Sequence, residues 1–176
     1  IGAPAKPIVQ KGDYVLVGQK IAEADGFVSA PIYATVSGTI KAIEPRRVVT
    51  GDGVMSIVIE NDGEYKEVIF QQPKPVEVLL KEDILKLIAD AGVVGMGGAG
   101  FPTHVKLAPK NPEEIDYVII NCAECEPYLT SDYRRMVEEP EKLVEGLRII
   151  LRLFDKARGI LAVEDNKPDC IKILKK

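Results

Sequence analysis

Two stretches carry residue types whose spacing can do chemistry. Gly92 to Leu107 reads GVVGMGGAGFPTHVKL and places Gly92, Gly95, Gly97, Gly98 and Gly100 within nine residues, ahead of Phe101, Pro102, Thr103 and Lys106. A run so rich in glycine is costly as regular helix or strand, because each glycine gives up conformational freedom on ordering. What it provides is positive φ and close approach of the backbone to another group. Exposed backbone N–H groups leading into a helix are suited to an anion. Pro102 fits a first helical turn and Thr103 an N-cap, so a short helix is expected from about Thr103, with Lys106 within reach of a phosphate. No Gly-Lys-Ser/Thr closes the loop, and Met96-Gly97-Gly98 breaks the usual dinucleotide spacing. A phosphate or nucleotide site and a tight packing turn therefore both remain open on the loop alone.

The second stretch is Asn121-Cys122-Ala123-Glu124-Cys125-Glu126-Pro127-Tyr128. It follows Tyr117-Val118-Ile119-Ile120, a short apolar run that predicts a buried parallel strand. Ligands of open α/β sheets sit at the carboxyl ends of strands. Glu124 and Glu126 can thus accept hydrogen bonds from ribityl or ribose hydroxyls, or stand solvated. Cys122-x-x-Cys125 invites metal or redox chemistry, yet a zinc or iron–sulfur site needs four ligands, and Cys170 lies far along the chain with His104 as the single imidazole. Small thiols packed beside a ligand are the simpler expectation. His104 in a short helix is read as structural, Asp132 and Arg134-Arg135 as helix-start and surface charges.

The surrounding chain must position these two stretches. Its 176 residues suffice for one or two domains with a core. A net charge of −4, with 23 basic against 27 acidic side chains and no basic stripe, argues against nucleic acid as a partner. No apolar run approaches the roughly 18 residues that span a bilayer. Three cysteines supply no disulfide framework and suit a reducing compartment. No leader pattern is visible, and the chain reads as a piece cut from something longer.

Pro7 to Glu60 shows short β runs broken by Gly and Gly-Asp turns, with strands expected at Tyr14–Val17, Phe27–Ser29, Gly38–Ile43 and Met55–Ile59. This spacing predicts a small sandwich or barrel. VQKGDYVLVGQKIAEAD followed by APIYATVSGTIKAI resembles the barrel-sandwich hybrid fold of biotinyl and lipoyl domains. The stretch matching their carrier hairpin, Ser29 to Ala34, contains no lysine, so a structural or docking module is expected in place of a swinging arm. Gln71-Gln72-Pro73-Lys74-Pro75 marks the boundary. A helix over Glu82–Ala91, with apolar 84, 85, 87, 88 and 91 on one stripe, delivers the chain to the loop. Ser131 is expected to cap a helix through Val137. Pro140 starts a longer helix, with Leu143, Val144, Leu147, Ile150, Leu151 and Phe154 facing inward. Gly159–Val163 is a second buried strand and Pro168–Leu174 a last helix. The expected class is α+β overall: a barrel-sandwich module over 1–72, a linker over 73–83, and over 84–176 the first part of a three-layer α/β domain.

GMGGAGFPTHVKL together with NCAECEPYLTSDYRRM resembles the C subunit of Rnf electron transport complexes (the RnfC family), which is related to the FMN-bearing, NADH-oxidising subunit of respiratory complex I. The resemblance covers essentially the whole chain. It implies FMN along the glycine loop, with Gly95, Gly97, Gly98, Ala99 and Gly100 around flavin and phosphate and Lys106 near the phosphate. Asn121, Glu124 and Glu126 match strand-end residues that approach the flavin, and NADH would stack near Phe101. His104 replaces a glycine of the complex I loop, as the Rnf branch leads one to expect, and Cys122 stands where many relatives have glycine or alanine. The resemblance further implies 4Fe-4S clusters in a C-terminal part beyond Lys176, the other Rnf subunits at the membrane as partners, and ferredoxin indirectly. Its implied place is peripheral, on the cytoplasmic side of the bacterial membrane. No catalytic side chain is assigned, because hydride transfer between nicotinamide and flavin requires no general acid or base, and this stretch alone is expected to be inactive. Two other roles fit the same motifs: a soluble flavin and iron–sulfur reductase of the cobalamin-reductase type, and a docking scaffold without its own cofactor.

Overall fold

A computed structural model describes residues 2–49, 51–70, 74–96 and 98–175. By packing, the chain divides into two units, residues 1–75 with 85–106 and residues 76–84 with 107–176.

The first unit opens with two three-stranded antiparallel sheets. One orders β1 (Lys6–Pro7), β3 (Lys20–Glu23) and β4 (Ile32–Tyr33); the other orders β2 (Tyr14–Val15), β5 (Gly38–Arg47) and β6 (Gly53–Asn61). Val15, Ile21, Ala34 and Ile40 form their common core, with Val9, Ile43, Ile57 and Ile59 against it. Strands this short bury too little apolar surface singly, so pairing two sheets face to face is what makes the module stable. Among the described residues the sheets do not close into a barrel. Phe27–Ser29, expected as a strand, is irregular: Ser29 Oγ donates to the Ala3 carbonyl at 2.8 Å and accepts from Asp25 N–H at 3.0 Å, a side-chain turn that competes with sheet pairing. The β5–β6 hairpin runs further than expected, through Arg47 and back from Gly53.

Asp62 ties the two ends of this module together. Its carboxylate accepts from Tyr14 Oη at 2.5 Å, Ser37 Oγ at 2.7 Å and the Glu64 amide at 2.9 Å. These bonds, Tyr14 first, hold its pKa down to about 2. A depressed carboxylate stabilises above its unfolded pKa and loses that contribution as pH falls through the folded value. Asp62→Asn is therefore expected to lower the thermal midpoint of the full chain at neutral pH. The gap to the parent should narrow from pH 3.8 towards pH 2, followed by circular dichroism.

Helix α1 (Lys81–Asp90) begins where Asp83 accepts from the Leu80 amide at 3.3 Å. Only part of its expected stripe is covered: Ile84 is buried, whereas Leu87 is exposed. Gly92, at φ +66°, ends it in the left-handed conformation that terminates many helices.

In the second unit β7 (Tyr117–Asn121) and β8 (Arg158–Ala162) pair in parallel, with Ile120 opposite Leu161. Between them run α3 (Ser131–Glu138) and α4 (Pro140–Leu151), and α5 (Pro168–Leu174) follows β8. A parallel pair needs such a crossover. Met136, Cys122 and Cys170 are the buried centre, surrounded by Ile120, Leu143, Leu161, Val163 and Leu174. Gly159 lies so close to α4 that a Cβ would stand 2.9 Å from Leu147 and from Leu151. The strands are not buried on both sides as their apolar runs suggest. Ile119 is 59% exposed, and Tyr117 and Ile160 on the same face are exposed too. The helices cover the alternate positions, and period-two alternation leaves the other face uncovered by the described residues. Among the described residues no helix is long and apolar enough to cross a membrane.

Candidate functional site

The glycine loop is a pinched bend held at its base. Gly95 N–H donates to the Phe101 carbonyl at 2.9 Å, Thr103 N–H to the Val93 carbonyl at 3.0 Å, and Val94 bridges Pro102 in antiparallel fashion. Pro102 is buried and anchors the return. Beyond that base the described residues are exposed or half-buried. Gly98 (φ +107°) and Gly100 (φ +61°) take conformations that L side chains avoid, and a Cβ on either would meet nothing within 4 Å. Met96 is 92% exposed, and Ala99 is exposed beside it. Gly97 lies outside the described residues. At Gly98 and Gly100 the space a side chain would take is therefore open. Phe101 is half-buried, and Lys106 is exposed at the end of α2 (Thr103–Lys106). One turn of helix has little dipole to offer, so attraction for an anion falls to loop amides and the Lys106 ammonium.

The strand-end residues belong to the second unit. Asn121 Oδ1 accepts from the Ala123 amide at 3.1 Å, turning the chain away from β7. Glu124 goes elsewhere than solvent. Its side chain is 6% exposed; Oε1 accepts from Asp132 N–H at 2.9 Å, and Oε2 from Tyr133 N–H at 3.1 Å and Lys167 Nζ at 3.3 Å. Burial alone would push this carboxyl up. The Asp132 and Tyr133 amides and the Lys167 ammonium outweigh it, and the net shift is downward. Glu124 therefore caps α3 from outside the helix. Thr130, the residue at the cap position, makes no side-chain cap bond, and Ser131 is already the first helical residue.

Two members of this cluster escaped the sequence reading. Glu164 follows β8 as Glu124 follows β7; its carboxylate accepts from Lys167 at 2.6 Å and from the Glu124 amide at 3.3 Å. The signal available was an acid just past a second buried run. Lys167, 14% exposed, bridges both acids and its pKa is raised, first by Glu164. Tyr128, at φ +66°, also stands fully exposed after Pro127.

The two cysteines of the CxxC stretch part company. Cys122 is in the core, where burial pushes its thiol up; Cys125 is exposed and donates to Glu126 at 3.3 Å, and that carboxylate pushes its thiol up as well. Thiolate ligands and nucleophiles need the opposite shift. Among the described residues no group of three or more His, Cys, Asp or Glu is arranged to hold a metal ion. Glu126 itself is exposed at the surface of this turn.

The glycine bend and the α/β unit with acids at its strand end fall in the class of FMN-binding domains. Residues 88–176 match the Nuo51 FMN-binding domain and residues 1–64 the RnfC barrel sandwich hybrid domain. The chain belongs to the Nuo51 FMN-binding domain family, in the branch that carries the RnfC module in front. It is 48% identical, over its whole length, to the C subunit of the Na(+)-translocating ferredoxin:NAD(+) oxidoreductase complex of Acetobacterium woodii and to that of the proton-translocating complex of Clostridium ljungdahlii. It is 42% identical over 99% of its length to the C subunit of the ion-translocating oxidoreductase complex of Rhodobacter capsulatus. The chain spans 40%, 39% and 34% of these relatives.

Proposed function

We propose that the complete protein is the subunit of an Rnf-type, ion-translocating ferredoxin:NAD oxidoreductase that exchanges electrons with NAD(H) on FMN. The observation that carries this is the open bend. Gly98 and Gly100 present bare backbone at positive φ, in a segment that matches an FMN-binding domain. Bound FMN supplies the link between hydride and one-electron chemistry. The chain's own residues bind and orient. Gly95, Gly97, Gly98, Ala99 and Gly100 let the backbone approach flavin and phosphate, and Lys106 neutralises the phosphate. Phe101 offers a ring beside the nicotinamide, and Asn121 and Glu126 approach the flavin from the strand end. Glu124 is the third strand-end residue of this set, and its carboxylate is shared with the α3 amides and Lys167.

The domain division in this reading is a module over 1–72, a linker over 73–83 and the nucleotide domain from 84. Its support is the pair of matched ranges, 1–64 and 88–176. Further parts of the reading are 4Fe-4S clusters in the rest of the complete protein, the other Rnf subunits and indirectly ferredoxin as partners, and a peripheral place on the cytoplasmic side of the membrane. Nucleic acid has no part in it.

The test is the complete protein, purified and assayed for flavin absorbance and for NADH oxidation with an artificial acceptor. A colourless, inactive protein overturns the proposal and leaves a scaffold. Within it, Lys106→Ala is expected to weaken FMN binding roughly tenfold to a hundredfold, the range for a lost charge-assisted hydrogen bond. Titration of the apoprotein with FMN reads this directly, and parental affinity would remove Lys106 from the site.

A further inference from the structure

Within the first unit, the start of the glycine bend rests on one hairpin of the barrel-sandwich module, and its end lines a crevice with that hairpin. Tyr33 Oη donates to the carbonyl of Asp90, the last residue of α1. That carbonyl is among the four a helix leaves without an internal partner. Two residues on, Gly92 is pressed against the same hairpin. A Cβ there would stand 2.9 Å from the Pro31 carbonyl and 3.4 Å from the Tyr33 ring. At the other end of the bend, His104 of α2 joins Asp90 with Lys20, Glu23 and Pro31 around a crevice of about 120 Å³.

The stretch Ser29 to Ala34 is where the carrier-domain pattern would place its modifiable lysine, and it has none. In its place stand a tyrosine aimed at a helix end and a proline carbonyl that admits only glycine beside it. We propose that this hairpin is a seat for the glycine bend, and that Tyr33 and Gly92 are positioning residues that fix the bend's take-off so that its backbone keeps the shape an FMN phosphate requires. The inference rests on the flavin reading for its consequence, though not for the contact itself. It gives the module an active part in the site beyond docking.

The experiment uses the complete protein with Tyr33→Phe and, separately, Gly92→Ala. Tyr14→Phe is the control, because its hydroxyl bonds Asp62 on the other sheet of the module. Three readouts are taken: hydrogen exchange of the amides from Val93 to Phe101 without flavin, FMN affinity, and the visible circular dichroism of the bound flavin. Tyr33→Phe is expected to speed exchange in the bend and to weaken FMN binding about 2- to 10-fold, the effect of one neutral hydrogen bond. The flavin dichroism should change as well. Gly92→Ala should do the same more strongly. Tyr14→Phe should lower the melting temperature and leave all three at parental values. Parental exchange and affinity in Tyr33→Phe, or equal changes in Tyr14→Phe, would overturn the seat. Faster exchange in Tyr33→Phe, where the parent itself retains no flavin, would keep the seat and sink the flavin reading.

Discussion

The complete protein carrying Gly98→Ala is expected to fold with a melting temperature a few degrees below the parent and to lose most of its FMN. The two effects separate because of what surrounds Gly98. A Cβ there meets nothing within 4 Å, so no packing is disturbed. The φ of +107° is outside the wells open to alanine, and holding it costs about 1–3 kcal/mol. Spread over a chain of this size, that cost shifts the midpoint by several degrees at most. The added methyl projects into open space at Gly98, where the proposed flavin and phosphate would come against backbone. FMN affinity should therefore fall by well over tenfold, read by titrating the apoprotein. Gly12→Ala supplies the matched control: φ is +98°, the space around it is equally empty, and it lies on a turn of the module away from the bend. Equal flavin content in Gly98→Ala and Gly12→Ala would place the cofactor elsewhere.

The bend was legible because its chemistry is local. Glycine density and Pro102 lie within a dozen residues, and the structure puts positive φ at Gly92, Gly98 and Gly100. The sandwich was legible for a related reason: turns at Gly12 and Gly18 interrupt the β runs, and both glycines have positive φ. What failed is what depends on distant partners. Phe27–Ser29 has strand composition, but Ser29 is occupied with Ala3, which no window around residue 28 contains. The strand expected over Gly38–Ile43 runs on past Pro45, which pairs with Met55 in a hairpin arm exposed at Val54 and Met55. Apolar runs at Tyr117–Ile120 and Gly159–Val163 look buried on both sides, whereas their register leaves Ile119 and Ile160 paired on an exposed face. Glu124 was legible as a strand-end acid. Its occupation by amides eight and nine residues on, and by a lysine forty-three residues on, was not.

That occupation makes Glu124→Gln the sharpest probe of the second unit. The neutral amide keeps one oxygen for the α3 amides and surrenders the charge, so Lys167 is left with Glu164 alone. A lysine 14% exposed that loses one of two carboxylates has lost part of what offsets its burial. The melting temperature at neutral pH should drop by several degrees. Its dependence on pH identifies the cause. Glu124 is depressed below its ordinary 4.5, so its contribution is complete above that value and fades as pH falls through the folded pKa. Lys167 is raised above 10.5, so its share is complete below that value and fades as pH rises through the folded pKa. The gap between parent and variant should therefore be widest between these limits and close at both ends. A gap that stays constant from pH 7 to pH 3 would deny the ion pair. Flavin binding supplies the second axis: with Glu124 as a cap, affinity well below the melting temperature is expected to change little, because the proposed contacts of Asn121 and Glu126 are untouched. A variant that melts with the parent yet releases its flavin would instead return the Glu124 carboxylate to direct contact with the cofactor.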